Sequence, residues 1–182
     1  MKINDSDIVK KLKNGDSKEK ESAFKILVSD YKERLYWHIR KIVIDHDDAN
    51  DVIQNTFMKI YLKINSFNEK SKIFTWMYRI ATNESINFIN TKAIKLGINK
   101  ADWVEAKTSG LFADSYFDGD QASIKLQKEI SKLPEKQRLV FNMKYFDKMK
   151  YKEISEILNT SVGSLKASYH LAVHKIKKDL YE

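Results

Sequence analysis

The sequence predicts an all-α protein with two small helical domains joined by a linker. Apolar residues recur at helical steps of three and four along most of the 182 residues, and the chain has only five glycines and one proline. The periodicity fades once, between Thr91 and Asp120, where three of the five glycines lie. We therefore expect a first domain at residues 1–92, an interdomain linker at residues 93–120 and a second domain at residues 121–182.

The composition favours a polyanionic partner. The formal net charge is +8, the isoelectric point is about 9.4, and the excess of Lys and Arg is concentrated in the second domain. Proteins with such an excess of basic residues most often bind nucleic acid, and less often an anionic membrane surface. The sequence has no apolar run long enough for a membrane span and no signal-peptide core at its start, so we expect a cytoplasmic protein.

Four helices are predicted in the first domain. Each has an apolar stripe at helical spacing, and an acidic turn at residues 45–48 supplies Asp47 or Asp48 as the cap of the third helix. Tyr61 and Ile64 are assigned to the buried stripe of that helix. The four predicted helices span about Asp5–Leu12, Ser17–Val43, Asp48–Ile64 and Lys72–Asn90.

Two of these helices also have a polar side. On the third helix it consists of Asp51, Gln54, Asn55 and Met58, which taken alone are typical of an ordinary solvated face. Asn side chains can pair with a base edge, and aromatic side chains such as Trp76 and Tyr78 can stack on unpaired bases, although a Trp in such a helix more often belongs to the core. The polar side of the fourth helix carries Thr75, Arg79, Thr82, Asn83, Asn87 and Asn90.

The second domain ends in a predicted helix-turn-helix. A helix starts at Leu133-Pro134-Glu135, a second spans Tyr151 to Leu158, and the turn Asn159-Thr160-Ser161 separates it from a long basic helix capped by Ser161. The last helix is predicted to bury an apolar stripe that begins at Val162. The opposite side of this helix would enter a DNA major groove. The alternative interpretation of its lysines and histidines is a solvated amphipathic face.

The sequence contains none of the common enzyme motifs, so we predict a protein that is not an enzyme. It has no glycine-rich phosphate loop and no nucleophile beside a base, and the lack of cysteine excludes disulfides and thiolate metal sites. His170 and His174 have a spacing that can hold a metal, but no third ligand is evident. We expect no cofactor and no metal.

Two separate stretches resemble the extracytoplasmic-function (ECF) sigma factors of bacterial RNA polymerase. Asp48-Ala-Asn-Asp-Val-Ile-Gln-Asn-Thr-Phe57 and Phe74-Thr-Trp-Met-Tyr-Arg-Ile-Ala-Thr-Asn83 are similar to sigma region 2. Leu133-Pro-Glu-Lys-Gln-Arg138, with the stretch from Tyr151 to Lys166, is similar to region 4. The order and spacing of these stretches also fit, and the similarity covers nearly the whole chain except the linker.

The resemblance implies a protein that binds core RNA polymerase and directs it to promoter DNA, with melting of the minus-10 element. The residues that would bind the beta-prime clamp helices of core polymerase are Asp51, Gln54, Asn55 and Met58. Region 4 would contact the beta flap. Minus-10 DNA would be held by Phe67, Asn68, Lys70, Ser71, Lys72, Trp76, Arg79, Asn83 and Asn87. Minus-35 DNA would be contacted by Lys150, Lys152, Ser164, Lys166, Ala167, His170, Leu171 and His174. The resemblance also implies an anti-sigma factor as a partner that holds the activity off.

Several positions depart from the family pattern. Asn50 and Asn55 stand where glutamate is usual, and Ser155 replaces an alanine of the helix-turn-helix. Ser168 and Leu171 stand where arginine is common, so phosphate or base contacts are lost and minus-35 binding by the isolated domain should be weak and salt-dependent.

Two other functions are compatible with the helical pattern. A stand-alone helix-turn-helix transcriptional regulator would bind duplex DNA without polymerase. A helical protein-interaction module of the transcription machinery would bind no promoter even with polymerase present. Neither needs to hold single-stranded bases, so the aromatic and Asn-rich face from Phe74 to Asn90 favours the sigma-factor interpretation over both.

Overall fold

A computed structural model describes residues 4–113 and 121–181, and within these ranges every regular element is a helix. The all-α prediction is therefore confirmed. Short 3-10 turns lie at Ile64–Ser66 and Gly110–Ala113, and a π-helical turn lies at Asn142–Phe146. The α-helices are α1 Asp5–Asn14, α2 Ser17–Val43, α3 His46–Lys63, α4 Ile73–Leu96, α5 Lys100–Ser109, α6 Gln121–Ser131, α7 Glu135–Phe141, α8 Tyr151–Leu158 and α9 Val162–Tyr181.

Acidic and amide side chains start the first three helices. At α2, Asp16 and Glu19 form a reciprocal capping box, in which each side chain accepts a hydrogen bond from the other residue's backbone N–H. The cap of α3 is Asp45, whose carboxylate accepts from the N–H of Asp48 at 3.0 Å, so the prediction of Asp47 or Asp48 was wrong. Both of those residues lie in the first turn, where a carboxylate favours the positive end of the helix dipole.

The apolar faces of α1 to α4 pack together in one buried cluster. These faces bury the predicted stripes, including Leu27, Leu35, Ile39, Val52, Ile60, Met77 and Ala81. Tyr61 was assigned to the stripe but is 46% exposed, and only one side of its ring is covered, by an edge-on contact with Phe24.

The segment expected to be a linker begins with ordered helix. The helix α4 continues past residue 92 to Leu96 and ends at Gly97, whose left-handed φ of 67° suits glycine. After it, α5 packs on α4 and buries Trp103 and Val104, while the Lys107 ammonium lies 3.0 Å from Asp45 and 2.9 Å from Asp48. Residues 114–120 of the expected linker lie outside the described residues, and the domain division stays a prediction.

The helix-turn-helix has the expected elements. The first of its helices, α8, ends at Asn159 in the left-handed region, and the Ser161 hydroxyl accepts a hydrogen bond from the N–H of Ser164 at 3.3 Å. The predicted cap is thus confirmed. Leu165, Ala172 and Ile176 of α9 are buried, whereas Val162 is 37% exposed because it lies in the first turn, before the helix meets its neighbours.

The two halves of the chain pack directly against each other. The helix α8 lies on α4, and the π-helical turn at Asn142–Phe146 lies on α2. Apolar residues of the second half join the buried cluster of the first, among them Met143, Ile154 and Ile157. This closed arrangement was not predicted from the sequence, and it determines which parts of the candidate sites face solvent.

Candidate nucleic-acid and polymerase interfaces

The outer side of α3 is an exposed face that combines polar and apolar groups. Asp51, Gln54, Asn55 and Met58 are all exposed there, while Val52, Ile53, Thr56 and Phe57 between them are buried. Leu62 lies four residues beyond Met58 on the same face and is 70% exposed. Leu62 was not predicted as part of this face, although its spacing from Met58 was the signal that could have identified it.

The loop between α3 and α4 is held against the start of the chain. The Lys13 ammonium donates to the Phe67 carbonyl at 2.6 Å and to the Glu69 carboxylate at 2.8 Å. Phe67 itself is buried, and its ring centroid lies 5.3 Å from that of Trp76. This side chain therefore packs the loop against the core. The exposed members of the predicted minus-10 set in this loop are Asn68, Lys70 and Lys72, and Ser71 is half-buried.

Beside this loop is a cleft of about 360 Å³. It lies between α1 and the loop, and its lining includes Asp5, Phe67, Glu69, Ser71 and Lys72. The cleft lining therefore includes carboxylate, hydroxyl and ammonium groups, whereas the Phe67 ring is almost fully buried. Such a lining can form hydrogen bonds with the edge of a planar ring.

The polar side of α4 is narrower than predicted. Arg79, Asn83 and Asn87 are exposed at helical spacing, and Trp76 is half-buried beside them. Thr75, Thr82 and Tyr78 are buried, so they were wrongly placed on a face open to bases. The Thr82 hydroxyl donates to the Tyr78 carbonyl at 2.7 Å, a local contact that lets a polar residue lie in the core.

The last helix, α9, presents most of the predicted minus-35 residues to solvent. Lys166, Ala167, His170, Leu171 and His174 are exposed on one side of the helix. Ser164 at its first turn is half-buried, and its hydroxyl accepts a hydrogen bond from the Lys136 ammonium at 3.1 Å. Among the described residues, no group of three or more His, Asp or Glu side chains is arranged to bind a metal ion.

The closed arrangement brings parts of the two predicted DNA-binding sets together. Lys70 and Lys72 of the first half and Lys150 and Lys152 of the second line one cleft of about 490 Å³. The Arg79 guanidinium donates two hydrogen bonds to the Glu156 carbonyl of α8. The exposed side of α4 is thus partly covered by the first helix of the helix-turn-helix.

A buried charged cluster lies at the same junction. Asp147 follows the π-helical turn, and its carboxylate lies 2.9 Å from His38 Nδ1 and 2.7 Å from Lys41 Nζ. Burial acts to raise the pKa of Asp147, but the hydrogen bonds and positive charges of His38 and Lys41 outweigh it and lower that pKa below its ordinary value. The carboxylate is therefore ionised and pairs with two side chains of α2.

No helix in the described ranges is long and apolar enough to span a membrane. The candidate surfaces described above are the exposed faces of α3, α4 and α9 and the clefts beside them. All three faces are presented by helices whose opposite sides are buried in the core, so their side chains are held in fixed relative positions.

Comparisons with known proteins match two regions of this chain to one protein family. Residues 27–93 match Sigma-70 region 2, and residues 123–176 match Sigma-70, region 4. The chain is 33% identical to the ECF RNA polymerase sigma factor SigW of Bacillus subtilis, with 94% of each chain covered. It is 27% identical to the ECF RNA polymerase sigma-E factor of Escherichia coli strain K12, with 91% of this chain and 88% of the relative covered.

Solved structures share the fold. The structure of CnrH in complex with the cytosolic domain of CnrY has a TM-score of 0.70 at 18% identity, covering 97% of this chain and 96% of that one. The sigma factor RpoE in complex with the anti-sigma factor NepR from Bartonella quintana has a TM-score of 0.66 at 20% identity, covering 86% of this chain and 96% of that one. From its sequence relatives, its two region matches and its fold, the chain belongs to the ECF family of RNA polymerase sigma factors.

Proposed function

We propose that this sigma factor binds core RNA polymerase through the exposed side of α3. The observation that carries the proposal is the combination of Asp51, Gln54 and Met58 on a solvent-facing surface backed by a continuous buried stripe. Met58 and Leu62 supply apolar contact area and the polar groups supply orientation, as in the centre and rim of a protein interface. The partner surface would be the beta-prime clamp helices, with the beta flap contacting the second half.

We propose further that the first domain holds the melted minus-10 element. The exposed Arg79, Asn83 and Asn87 of α4 provide guanidinium and amide groups for the displaced strand. The cleft between α1 and the following loop would take an unstacked base, a step that costs a few kcal/mol and is recovered by contacts in the pocket. Lys70 and Lys72 at this loop would neutralise phosphates.

The proposed minus-35 contact is made by α9. Lys166 and His170 present donors to a major groove, and Lys150 and Lys152 at the start of α8 provide phosphate contacts. Leu171 offers only an apolar side chain where the family often has arginine. We therefore expect weak binding of this element by the domain alone, with an affinity that falls steeply as salt increases.

We assign this chain a binding role in transcription initiation and no enzymatic reaction. Its site of action would be the cytoplasm, where bacterial RNA polymerase works. The family's regulation suggests an anti-sigma factor as a further partner, and RpoE in its complex with NepR is one solved example of such a pairing.

Gel filtration with bacterial core polymerase tests the proposed function. The wild-type chain is expected to comigrate with core polymerase. Gln54→Arg should lose comigration, because it places a cation and a larger side chain in the α3 face. Gln121→Arg makes the same change at an exposed residue of α6 and should comigrate like the wild type. Equal comigration of both variants would contradict the assignment of α3, and failure of the wild type would contradict core binding.

Promoter opening separates the two interfaces. Asn83→Ala should leave core binding intact but reduce opening, measured by permanganate reactivity of unpaired thymines in the minus-10 region. Normal opening by this variant would remove Asn83 from the proposed strand-binding face.

A further inference from the structure

The second half of the chain covers one side of α4. The helix α8 packs on α4, and Ile154 and Ile157 of α8 are buried in the same cluster as the apolar residues of the first half. Met143 of the π-helical turn joins this cluster as well. Side chains packed in this way exclude water from the contact, as in the centre of a protein interface. The closed arrangement is therefore held by apolar burial in addition to the ion pair between Asp147 and Lys41.

Polar side chains of α4 lie at this contact. Thr75 is 2% exposed and lines the cleft between the two halves together with Glu156 of α8. Thr82, two helical turns further along α4, is 1% exposed, and its hydroxyl contacts His38, which pairs with Asp147 of the second half. Burial of a hydroxyl stabilises a fold less than burial of an apolar group of similar size. The residue types therefore suit a side of α4 that is buried in one state of the chain and exposed in another.

Arg79 of the same helix is bound to the end of α8. Its Nε donates to the Glu156 carbonyl at 2.9 Å, and a second nitrogen of the guanidinium donates to the same oxygen. This carbonyl belongs to the last turn of α8, where carbonyls lack partners within the helix and form the negative end of the helix dipole. The carbonyl thus occupies an edge of the guanidinium that could otherwise bind a phosphate through two parallel hydrogen bonds.

Closure leaves the other two candidate surfaces accessible. Asp51, Gln54 and Met58 of α3 are exposed, and so are Lys166 and His170 of α9. A closed chain can therefore present α3 to core polymerase and α9 to duplex DNA. The side of α4 next to α8 is the candidate surface that closure covers.

We propose that closure is an autoinhibitory contact, in which α8 competes with single-stranded DNA for the side of α4 that carries Thr75 and Arg79. The inference rests on the strand-binding role of α4 proposed above. In an open form, with the second half moved away from α4, this side would be free to hold a strand. The apparent dissociation constant of the free chain is then the intrinsic value divided by the fraction of open chains. For an open form populated to about 10% or less, opening should tighten the binding of single strands at least about tenfold.

Charge reversal at Asp147 provides an opened chain. Its carboxylate lies 2.7 Å from Lys41 Nζ of α2, so Asp147→Lys brings two ammonium groups together at the junction. Lys41→Asp combined with Asp147→Lys exchanges the two charges and should restore closure. Asp30→Lys makes the same charge change at an exposed residue of α2 and should leave the chain closed. Energy transfer between dyes at Ser22→Cys and Lys177→Cys reports closure, because both positions are exposed and the chain has no cysteine of its own.

Binding of a dye-labelled DNA single strand of random sequence, followed by fluorescence anisotropy, tests the competition. Asp147→Lys should bind the strand at least about tenfold more tightly than Asp30→Lys, and the exchanged pair should bind it like the wild type. Arg79→Gln added to Asp147→Lys should remove most of the gain. Equal binding by Asp147→Lys and Asp30→Lys, or a gain that Arg79→Gln leaves unchanged, would overturn the proposal.

The wild-type chain provides a second measurement that needs no charge reversal. A ligand that binds open chains better than closed ones shifts the population toward the open form, so the same DNA strand should lower the closed-state energy transfer. Transfer that stays constant while the strand binds would overturn the proposal even if Asp147→Lys does not fold. Comigration with core polymerase does not enter either readout, so this inference and the proposed function fail separately.

Discussion

Removal of the Asp147 carboxylate should strongly destabilise the closed chain. Asp147→Ala leaves His38 and Lys41 without their shared anion, and their side chains are only 1% and 18% exposed. Loss of one partner from a buried ion pair typically costs about 3–5 kcal/mol. Because the Lys41 ammonium can turn toward water, we expect a loss near the lower value, about 3 kcal/mol.

Urea unfolding followed by far-UV circular dichroism measures this loss. The free energy of unfolding is obtained by linear extrapolation to zero urea at pH 7. Asp30→Ala removes an exposed carboxylate from α2 and should change the free energy of unfolding by no more than about 0.5 kcal/mol. A loss below about 1 kcal/mol for Asp147→Ala would refute the view that this carboxylate holds the two halves together.

The difference in unfolding free energy between the wild type and Asp147→Ala should depend on pH with a definite sign. The pKa of Asp147 is lowered in the folded chain, so its stabilising effect is fully present above the ordinary carboxylate pKa. It is lost as the pH falls through the lowered pKa. The gap in unfolding free energy between wild type and Asp147→Ala should therefore be constant near neutrality and shrink in acid.

Other predictions test the packing and positioning of the sites. Ile154→Ala truncates a fully buried side chain of α8 and should cost about 2–5 kcal/mol in urea unfolding, whereas Val162→Ala in the same motif should cost under about 1 kcal/mol. Lys107→Met removes the ammonium that joins α5 to two carboxylates and should speed amide hydrogen exchange in α5; unchanged exchange would show that the ion pairs do not hold the helix. Lys13→Met frees the Phe67 carbonyl and should reduce promoter opening without loss of core binding; equal opening would exclude a role for this anchor.

Local patterns in the sequence predicted the helices and several of their ends. The cap at Ser161 and the stripe of α9 depend on residues within one or two turns, and the structure contains the cap and buries the stripe from Leu165 onward, although not its predicted first member Val162. The exposed sides of α3 and α9 follow from the same periodicity, since residues that do not face the core must face solvent or a neighbour. These predictions succeeded because helical geometry fixes the positions of nearby side chains.

Contacts between distant residues were not predictable in this way. His38 and Asp147 are separated by 109 positions, and nothing in either local pattern shows that they meet. Thr82 was assigned to the polar face because threonine is a polar residue. Its hydroxyl instead donates a hydrogen bond to the Tyr78 carbonyl one helical turn earlier, and the side chain is buried. Phe67 lies in a loop and is nevertheless core, because Lys13 anchors the loop to α1.

The most direct test of the central claim is transcription from genomic DNA by core polymerase with and without this chain. We predict that the chain produces transcripts whose 5′ ends map to defined positions, each preceded by two shared sequence elements at a fixed spacing. Gln54→Arg should abolish these transcripts and Gln121→Arg should not. If the chain adds no defined start sites to those of core polymerase alone, its assignment as a promoter-directing subunit is contradicted.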